Sequence, residues 1–344
     1  MNVLSYVTHK EVLQYLHEYK EKFDLDQYIS YGSLVTQLTL VDDVSSKLSG
    51  KERWPAIKLQ WQTGSKESED TFDAVCIANG HYGEPSVPPL DGLEDFQGTT
   101  MHSIEYDDPA DFEGQVVLCV GGRASGSDVA REISPHAKHV FLSDSTAEAV
   151  DSLGNVTLTP RTIKLDADGH AHFDHGCTLA PHVDTIIFCT GYDYSFPFIN
   201  EKSKLNLSVI RGERRVMPLY RQLWHAECPN LSFIGLPHSV LPFPLFELQV
   251  EAVAQEFREF DLPSVVERSE AAKVEAESGG AKKSGLPRDT HYLGAAQWDY
   301  CRELARTAGL YDKRMELYIA TNKVSHCVFE TCLMIATERS EDYV

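Results

Sequence analysis

Hydrophobic and polar positions along the chain follow three rhythms, and each predicts a different kind of element. Ile57, Leu59 and Trp61 alternate with polar residues in 56–62 (AIKLQWQ), the period of a half-buried strand. Segments 34–41 and 72–78 also read as strands, and the polar loop between the first two fits a β-meander. Val12, Leu13 and Leu16 make one apolar face over 9–20, and Thr8 and Glu11 form a capping box in front of it, so a surface helix is predicted there. The continuous apolar runs 116–120 (VVLCV), 185–189 (TIIFC) and 231–235 (LSFIG) suit strands buried on both faces of a parallel sheet. A helix at about 125–133 and a strand at 139–143 complete a βαβ unit with the first of these. Val250, Val253, Ala254 and Phe257 lie at helical spacing within 247–260. Residues 264–290 are polar and read as a surface excursion, part helix and part loop. Residues 83–95 hold three Pro and two Gly and mark a connection and a domain boundary.

These elements predict an α/β protein, and 344 residues with 42% hydrophobic content leave room for two domains. Acidic residues outnumber basic ones, 52 to 31, for a net charge of −21. A nucleic-acid partner needs a basic face and an anionic membrane needs a basic patch, so neither is expected. An anionic cofactor remains compatible, because a few N–H groups and one Arg hold a phosphate locally. No apolar run approaches the ~18 residues of a membrane span. The start, MNVLSYVTHKEVLQYL, has neither signal-peptide nor transit-peptide character. The eight cysteines show no CxxC, and Cys76, Cys119 and Cys189 sit in apolar runs, where a thiol acts as a small hydrophobe. A reduced, cytoplasmic protein is expected.

The chemistry begins at Val120-Gly121-Gly122-Arg123-Ala124-Ser125-Gly126, which follows a strand and opens a helix. A dinucleotide turn asks for Gly at its first, third and sixth positions. Gly121 and Gly126 meet that pattern, and Arg123 replaces the middle glycine. Ser125 and Ser127 offer hydroxyls, and the helix start attracts an anion. Asp144 ends the next strand, where an acid favours the free ribose 2′-hydroxyl of NADH, whereas Arg123 could serve the 2′-phosphate of NADPH. Two further segments match each other: Cys76-Ile-Ala-Asn79-Gly80-His-Tyr82 and Phe188-Cys-Thr190-Gly191-Tyr192. Each is an apolar strand that ends in Gly and an aromatic, the sort of edge where open α/β sheets hold ligands.

The motif F-x-G-x-x-x-H-x-x-x-Y/F occurs in full as Phe96, Gly98, His102 and Tyr106. With NGHYGEP, VGGRASGSD, FCTGYDYSFPFI and FIGLPHSVLPFPLFELQ, the chain resembles the flavin-containing monooxygenases, class B flavoproteins, from about residue 8 to about residue 310. Baeyer–Villiger relatives carry Trp-Pro where Tyr106-Asp107 stands here, a weaker match. The resemblance implies two dinucleotide-binding, Rossmann-like domains, an NADPH domain (96–183) inserted into an FAD domain (1–95 and 184–344). It implies that hydride passes from NADPH to FAD, and that O2 then oxygenates a soft nitrogen or sulfur of a small molecule, with NADPH preferred over NADH. Carried over to this chain, Gly121, Arg123, Ser125, Gly126 and Ser127 would serve NADPH. Asn79, Gly80, Thr190, Gly191, Glu247 and Gln249 would lie near FAD and NADP. His102 would join the domains as a hydrogen-bonded structural residue rather than a proton carrier.

The family opens with a second G-x-G-x-x-G, and none precedes residue 121 here. The FAD domain is therefore expected to be N-terminally incomplete, and two readings stand. One is a flavin-dependent monooxygenase in truncated form; the other is a non-catalytic pyridine-nucleotide-binding protein that cannot hold FAD. His170, His172 and His175 with Asp174 match no standard metal spacing and read as a polar hairpin. Cys327, Cys332 and His326 form no metal set, so no metal is expected, and the lack of a Gly-x-Ser-x-Gly elbow leaves a hydrolase without an anchor. The short apolar run at the C-terminus predicts no membrane anchor.

Overall fold

The computed structural model describes residues 8–46, 54–166, 168–176, 182–259, 261–310 and 316. Cys327, Cys332, His326 and the C-terminal run lie outside these residues, as does the start of the chain through residue 7. Two compact units are present. The first comprises Met1–Asn79, Phe196–Ser208 and Val216–Val344, and the second Gly80–Ser195 and Val209–Arg215.

In the second unit six strands form one sheet. Its order is Thr99–His102, Thr185–Phe188, Val116–Val120, His139–Ser143, Val156–Thr159, Asp151–Leu153. All neighbours are parallel except the last pair. The apolar runs at 116–120 and 185–188 are central because both of their faces are covered. Val117, Cys119, Val140 and Ile187 pack beneath the helix Ala124–Ile133, on Val129, Ala130 and Ile133. Val116, Leu118, Phe141 and Ile186 pack on the opposite side against Leu165, Ala171 and Phe173 of the hairpin Thr162–Leu165/Ala171–Phe173. Segments 80–95 and 184–195, placed with the flanking domain in the sequence reading, belong to this unit by contact.

The first unit begins with the helix His9–Lys22, capped by Thr8 and Glu11 and burying no residue. A three-stranded antiparallel meander follows, Ser33–Ser45, Pro55–Thr63 and Lys66–Phe72. The third strand of the meander comes before the strand expected at 72–78, which is present as Val75–Ile77. Lys66–Phe72 (KESEDTF) is polar up to Phe72 and has no alternation to read; its ladder with Pro55–Thr63 makes it a strand. Val75–Ile77 leaves for another sheet, parallel to Leu231–Phe233. There Cys76 is exposed, while Cys119 and Cys189 are buried as expected.

The helix Pro242–Glu259 starts before its expected bound and presents Leu245, Leu248, Ala252 and Val253 to the core, while Val250 is exposed. It packs on the helix Gln297–Thr307 through Trp298, Cys301, Leu304 and Ala305. Residues 264–290 are less superficial than their composition suggests. The helix Val265–Ser278 has a Ser264/Glu267 capping box and buries Arg268, Ala272 and Ala276. Arg268 Nε donates to the Ala226 carbonyl at 2.8 Å, and its guanidinium also reaches the Pro263 carbonyl. Among the described residues no helix is long and apolar enough to cross a membrane.

His225 is fully buried; its Nε2 faces the Asn206 carbonyl at 3.0 Å and its Nδ1 accepts the Cys228 N–H at 3.1 Å. Burial holds its pKa below the ordinary 6.5, so the unfolded chain takes up the proton first. Its contribution to stability is therefore complete above pH 6.5 and is lost as pH falls below it. Urea midpoints should be level above that pH and decline under acid, and His225→Gln should flatten the decline at a loss of about 1–3 kcal/mol. An unchanged pH slope in that variant would refute this role.

Candidate functional site

The carboxyl edge of the second unit's sheet holds the Gly121–Gly126 turn. Strand Val116–Val120 ends at Gly121, whose φ is +109°, and a Cβ there would stand 2.6 Å from the Cys189 carbonyl oxygen. At Gly126 a Cβ would fall on the carbonyl oxygen of Gly121. Neither position has room for a side chain, and so the helix start lies tight against the strand end. Arg123, at the position of the missing glycine, is the N-cap residue with φ −77° and ψ −168°, ordinary extended backbone that any residue adopts. The close approach falls one residue earlier: a Cβ on Gly122 would stand 2.6 Å from Cβ of Asp144.

No side chain caps this helix. Its first N–H groups and the helix dipole thus face the turn without a protein acceptor from Arg123. Ser125 is exposed on the first turn of the helix. Ser127 is spent otherwise, since its hydroxyl donates to the Gly122 carbonyl at 2.8 Å and fixes the turn. These features fit the pyrophosphate of a dinucleotide: a turn too tight for a Cβ and a helix N-terminus without a side-chain cap.

The second strand end lies in the same unit. Beyond Thr185–Phe188, residues Tyr192–Asp193 pair antiparallel with Glu84–Pro85, so the segments after Gly80 and Gly191 meet as a ribbon. Thr190 Oγ1 donates to the Ser86 carbonyl at 2.6 Å, and the Ser86 N–H donates to the Gly191 carbonyl at 2.9 Å. His102, 3% exposed, donates through Nε2 to that same carbonyl at 3.0 Å and accepts the Ile104 N–H on Nδ1 at 3.3 Å. Burial lowers its pKa and so favours the neutral ring, while the carbonyl at Nε2 and the N–H at Nδ1 place the proton on Nε2. Arg214, which the sequence reading missed, donates to the Thr190 carbonyl and lies 3.9 Å from the buried Asp193 carboxylate. Its loop, RGERR, carries no motif that would have singled it out.

The fingerprint residues divide the work of holding this edge together. Gly98 is small because a Cβ there would fall on the Asp184 carbonyl oxygen and the edge of the Phe96 ring. Tyr106 donates to Glu132 on the helix Ala124–Ile133 at 2.9 Å. His102 binds the Gly191 turn, so one strand is fastened both to the helix of the phosphate turn and to the neighbouring strand end.

The remaining candidates lie in the first unit. Asn79 follows the strand Val75–Ile77. Glu247 is exposed. Gln249 is fully buried, accepting the Gly235 N–H at 2.9 Å and donating to the Tyr300 hydroxyl at 3.0 Å. It therefore braces the exit of strand Leu231–Phe233. Among the described residues of this unit there is no second turn of the Gly121–Gly126 kind. None of the candidates lines the cleft of about 400 Å³ beside Arg221, Glu256, Glu259 and Arg306. On the hairpin of the second unit, Asp166, Asp168 and His170, rather than His175 and Asp174, bring their ligating atoms within 4.8 Å of one another. Asp166 already accepts the N–H groups of Asp168 and His170, at 3.0 and 2.9 Å, and so shapes the hairpin.

A family profile described as flavin-binding monooxygenase-like matches residues 2–153 and 149–334. The chain belongs to that family. The family uses FAD and NADPH. Among its curated relatives, flavin-containing monooxygenase FMO GS-OX-like 2 of Arabidopsis thaliana is 34% identical over 310 residues, 86% of this chain and 63% of the relative. FMO GS-OX4 of the same plant is 33% identical over 314 residues, 88% and 64%. This flavin-binding monooxygenase-like chain thus spans somewhat less than two thirds of the length of those relatives. The structure of S-allyl-L-cysteine S-oxygenase from Allium sativum superposes with a TM-score of 0.78 at 28% identity, covering 97% of this chain and 77% of that one. Cyclohexanone monooxygenase, at 14% identity and a TM-score of 0.59 over 88% of this chain and 83% of its own, shares the fold. The α/β architecture with parallel sheets expected from the sequence is the one observed.

If the fingerprint is a structural fastening, His102→Ala should strand the Gly191 carbonyl and the Ile104 N–H and lower stability by about 1–3 kcal/mol. Tyr106→Phe should lower it by about 1 kcal/mol. Thermal unfolding of the two variants checks both values, and a His102→Ala protein as stable as the parent would contradict the assignment.

Proposed function

We propose that this chain works in a flavin-dependent monooxygenase that uses a reduced pyridine dinucleotide and O2 to oxygenate a soft nucleophile of a small molecule, sulfur in preference to nitrogen. The observation that carries this reading is the Gly121–Gly126 turn, where two positions exclude any Cβ and no side chain caps the helix start. The preference for sulfur rests on the likeness to an enzyme described as an S-oxygenase. The same family membership weighs against the non-catalytic alternative.

In this reading the pyrophosphate lies on the N–H groups at the start of helix Ala124–Ile133, with the Ser125 hydroxyl as a further donor. Gly121 and Gly126 admit the backbone approach, Arg123 supplies the local positive charge, and Ser127 holds the turn through the Gly122 carbonyl. Thr190 and Gly191, with Gly80 at the other side of the ribbon, form the strand-end wall that His102 keeps in place. In the first unit Asn79, Glu247 and Gln249 are assigned to the flavin side, Gln249 acting through Gly235. FAD, when bound, accepts the hydride and activates oxygen. A cytoplasmic setting is supported by Cys76, Cys119, Cys189, Cys228 and Cys301, free thiols among the described residues.

The test is direct. The purified 344-residue chain, supplied with FAD, reduced dinucleotide and an alkyl cysteine thioether, should consume O2 and yield the sulfoxide. Gly126→Ala should weaken dinucleotide binding at least about tenfold, since a displaced helix start forfeits hydrogen bonds to a charged group. Failure to bind any dinucleotide would refute the proposal.

A further inference from the structure

Beside the phosphate turn stands a carboxylate whose placement bears on which dinucleotide the turn accepts. Strands Val116–Val120 and His139–Ser143 are parallel neighbours with Val120 opposite Ser143. Gly121 and Asp144 therefore leave the same edge of the sheet side by side, and the Gly121 N–H donates to the Ser143 carbonyl at 2.8 Å. Asp144 is held at three points. Its own N–H donates to the Thr159 carbonyl at 2.9 Å. Its Oδ1 accepts both the N–H and the hydroxyl of Thr146, each at 2.8 Å. Its Oδ2 is left turned toward the Cα of Gly122, where a Cβ would stand 2.7 Å from the carboxyl carbon. One carboxylate oxygen is thus spent on the loop and the other lies against the turn. The loop that follows, 144–151, holds Asp144, Glu148 and Asp151 and no Lys or Arg. The turn's own cation, Arg123, is exposed.

We propose that Asp144 recognises the adenosine ribose through its free 2′-hydroxyl, so that this chain binds NADH at least as tightly as the NADPH its family uses. The inference rests on the reading of Gly121–Gly126 as a pyridine-dinucleotide turn and names a selectivity that this reading leaves open. A ribose hydroxyl gives a carboxylate a charge-assisted hydrogen bond, and an acid at this strand end is the usual device for it. A 2′-phosphate brings negative charge to the same place. Near Asp144 it meets like charge, and the loop supplies no cation to offset it. Arg123 can reach a phosphate only by ordering a long, free side chain, which forfeits rotamer entropy. The Asp144 carboxylate, pinned by Thr146, is ordered before the ligand arrives.

The 344-residue chain is titrated with NADH and with NADPH, read by dinucleotide fluorescence, and with NAD+ and NADP+, read by calorimetry. The dissociation constant for NADH should equal or fall below that for NADPH, with the same order for the oxidised pair. In Asp144→Asn the side-chain carbonyl can still accept from Thr146, while the charge is gone. That variant should bind NADH about tenfold more weakly and NADPH more tightly, the change expected for one charge-assisted hydrogen bond. NADPH bound tenfold or more tightly than NADH by the parent chain overturns the inference and leaves the dinucleotide reading standing. Asp144→Asn changing both affinities equally, or neither, also overturns it. Binding of neither dinucleotide overturns the inference together with the function proposed above. Should Asp144→Asn fail to fold, the ratio measured on the parent chain decides alone.

Discussion

At Gly121 and Gly126 the space a β-carbon would occupy is filled by backbone carbonyl oxygen, of Cys189 in one case and of Gly121 itself in the other. This steric constraint brings the helix Ala124–Ile133 down against the strand before it and the strand beside it. The helix start, the turn and the exit of strand Thr185–Phe188 then form one surface. Both faces of the sheet behind it are covered, by the helix on one side and the hairpin at 162–173 on the other. A parallel sheet tolerates only such burial, since both of its faces are apolar. The turn is consequently backed by a sheet buried on both faces.

The Phe96–Tyr106 fingerprint serves the same surface from behind. Its residues touch a ring, a helix and a strand end, and His102 uses both ring nitrogens in doing so. A ring with both nitrogens committed and its basicity lowered by burial is a poor proton carrier at neutral pH and a good fastening. Polar anchoring of this kind recurs in the first unit. Gln249, His225 and Arg268 are buried polar groups that each tie backbone to another segment, Gln249 through the Tyr300 hydroxyl, and each would leave unpaired groups behind if truncated. The core helices there are aligned by such bridges as well as by Leu and Trp packing.

Much of this was legible in the chain itself. The runs at 116–120, 139–143 and 185–189 announce buried parallel strands because a strand covered on both faces admits few polar side chains. Gly121 and Gly126 stand where the tight turn leaves no room for a Cβ, and Arg123 between them takes ordinary extended backbone. The capping boxes at Thr8 and Ser264 rest on three-residue spacing and needed no tertiary help, though only the first was singled out in advance. Other elements carried no local signal. Lys66–Phe72 is a strand through its ladder alone, Val250 shares the helical spacing of Val253 yet is exposed, and the Pro/Gly stretch at 83–95 lies within the second unit.

By itself the sequence determined the α/β class, the tight glycine turn and the family, because each depends on residue type at short spacing: periodicity, glycine at fixed offsets, a fingerprint within eleven positions. Only the tertiary structure decided what the polar residues do. Ser127 faces a carbonyl, Gln249 faces a strand exit, Arg214 reaches Thr190 from a remote loop, and Asp144 turns one oxygen toward Gly122. Those outcomes depend on which distant backbone groups fold next to each side chain, and a polar group takes the partner that burial leaves it. Such neighbours are set by strand order and packing, which no local pattern encodes.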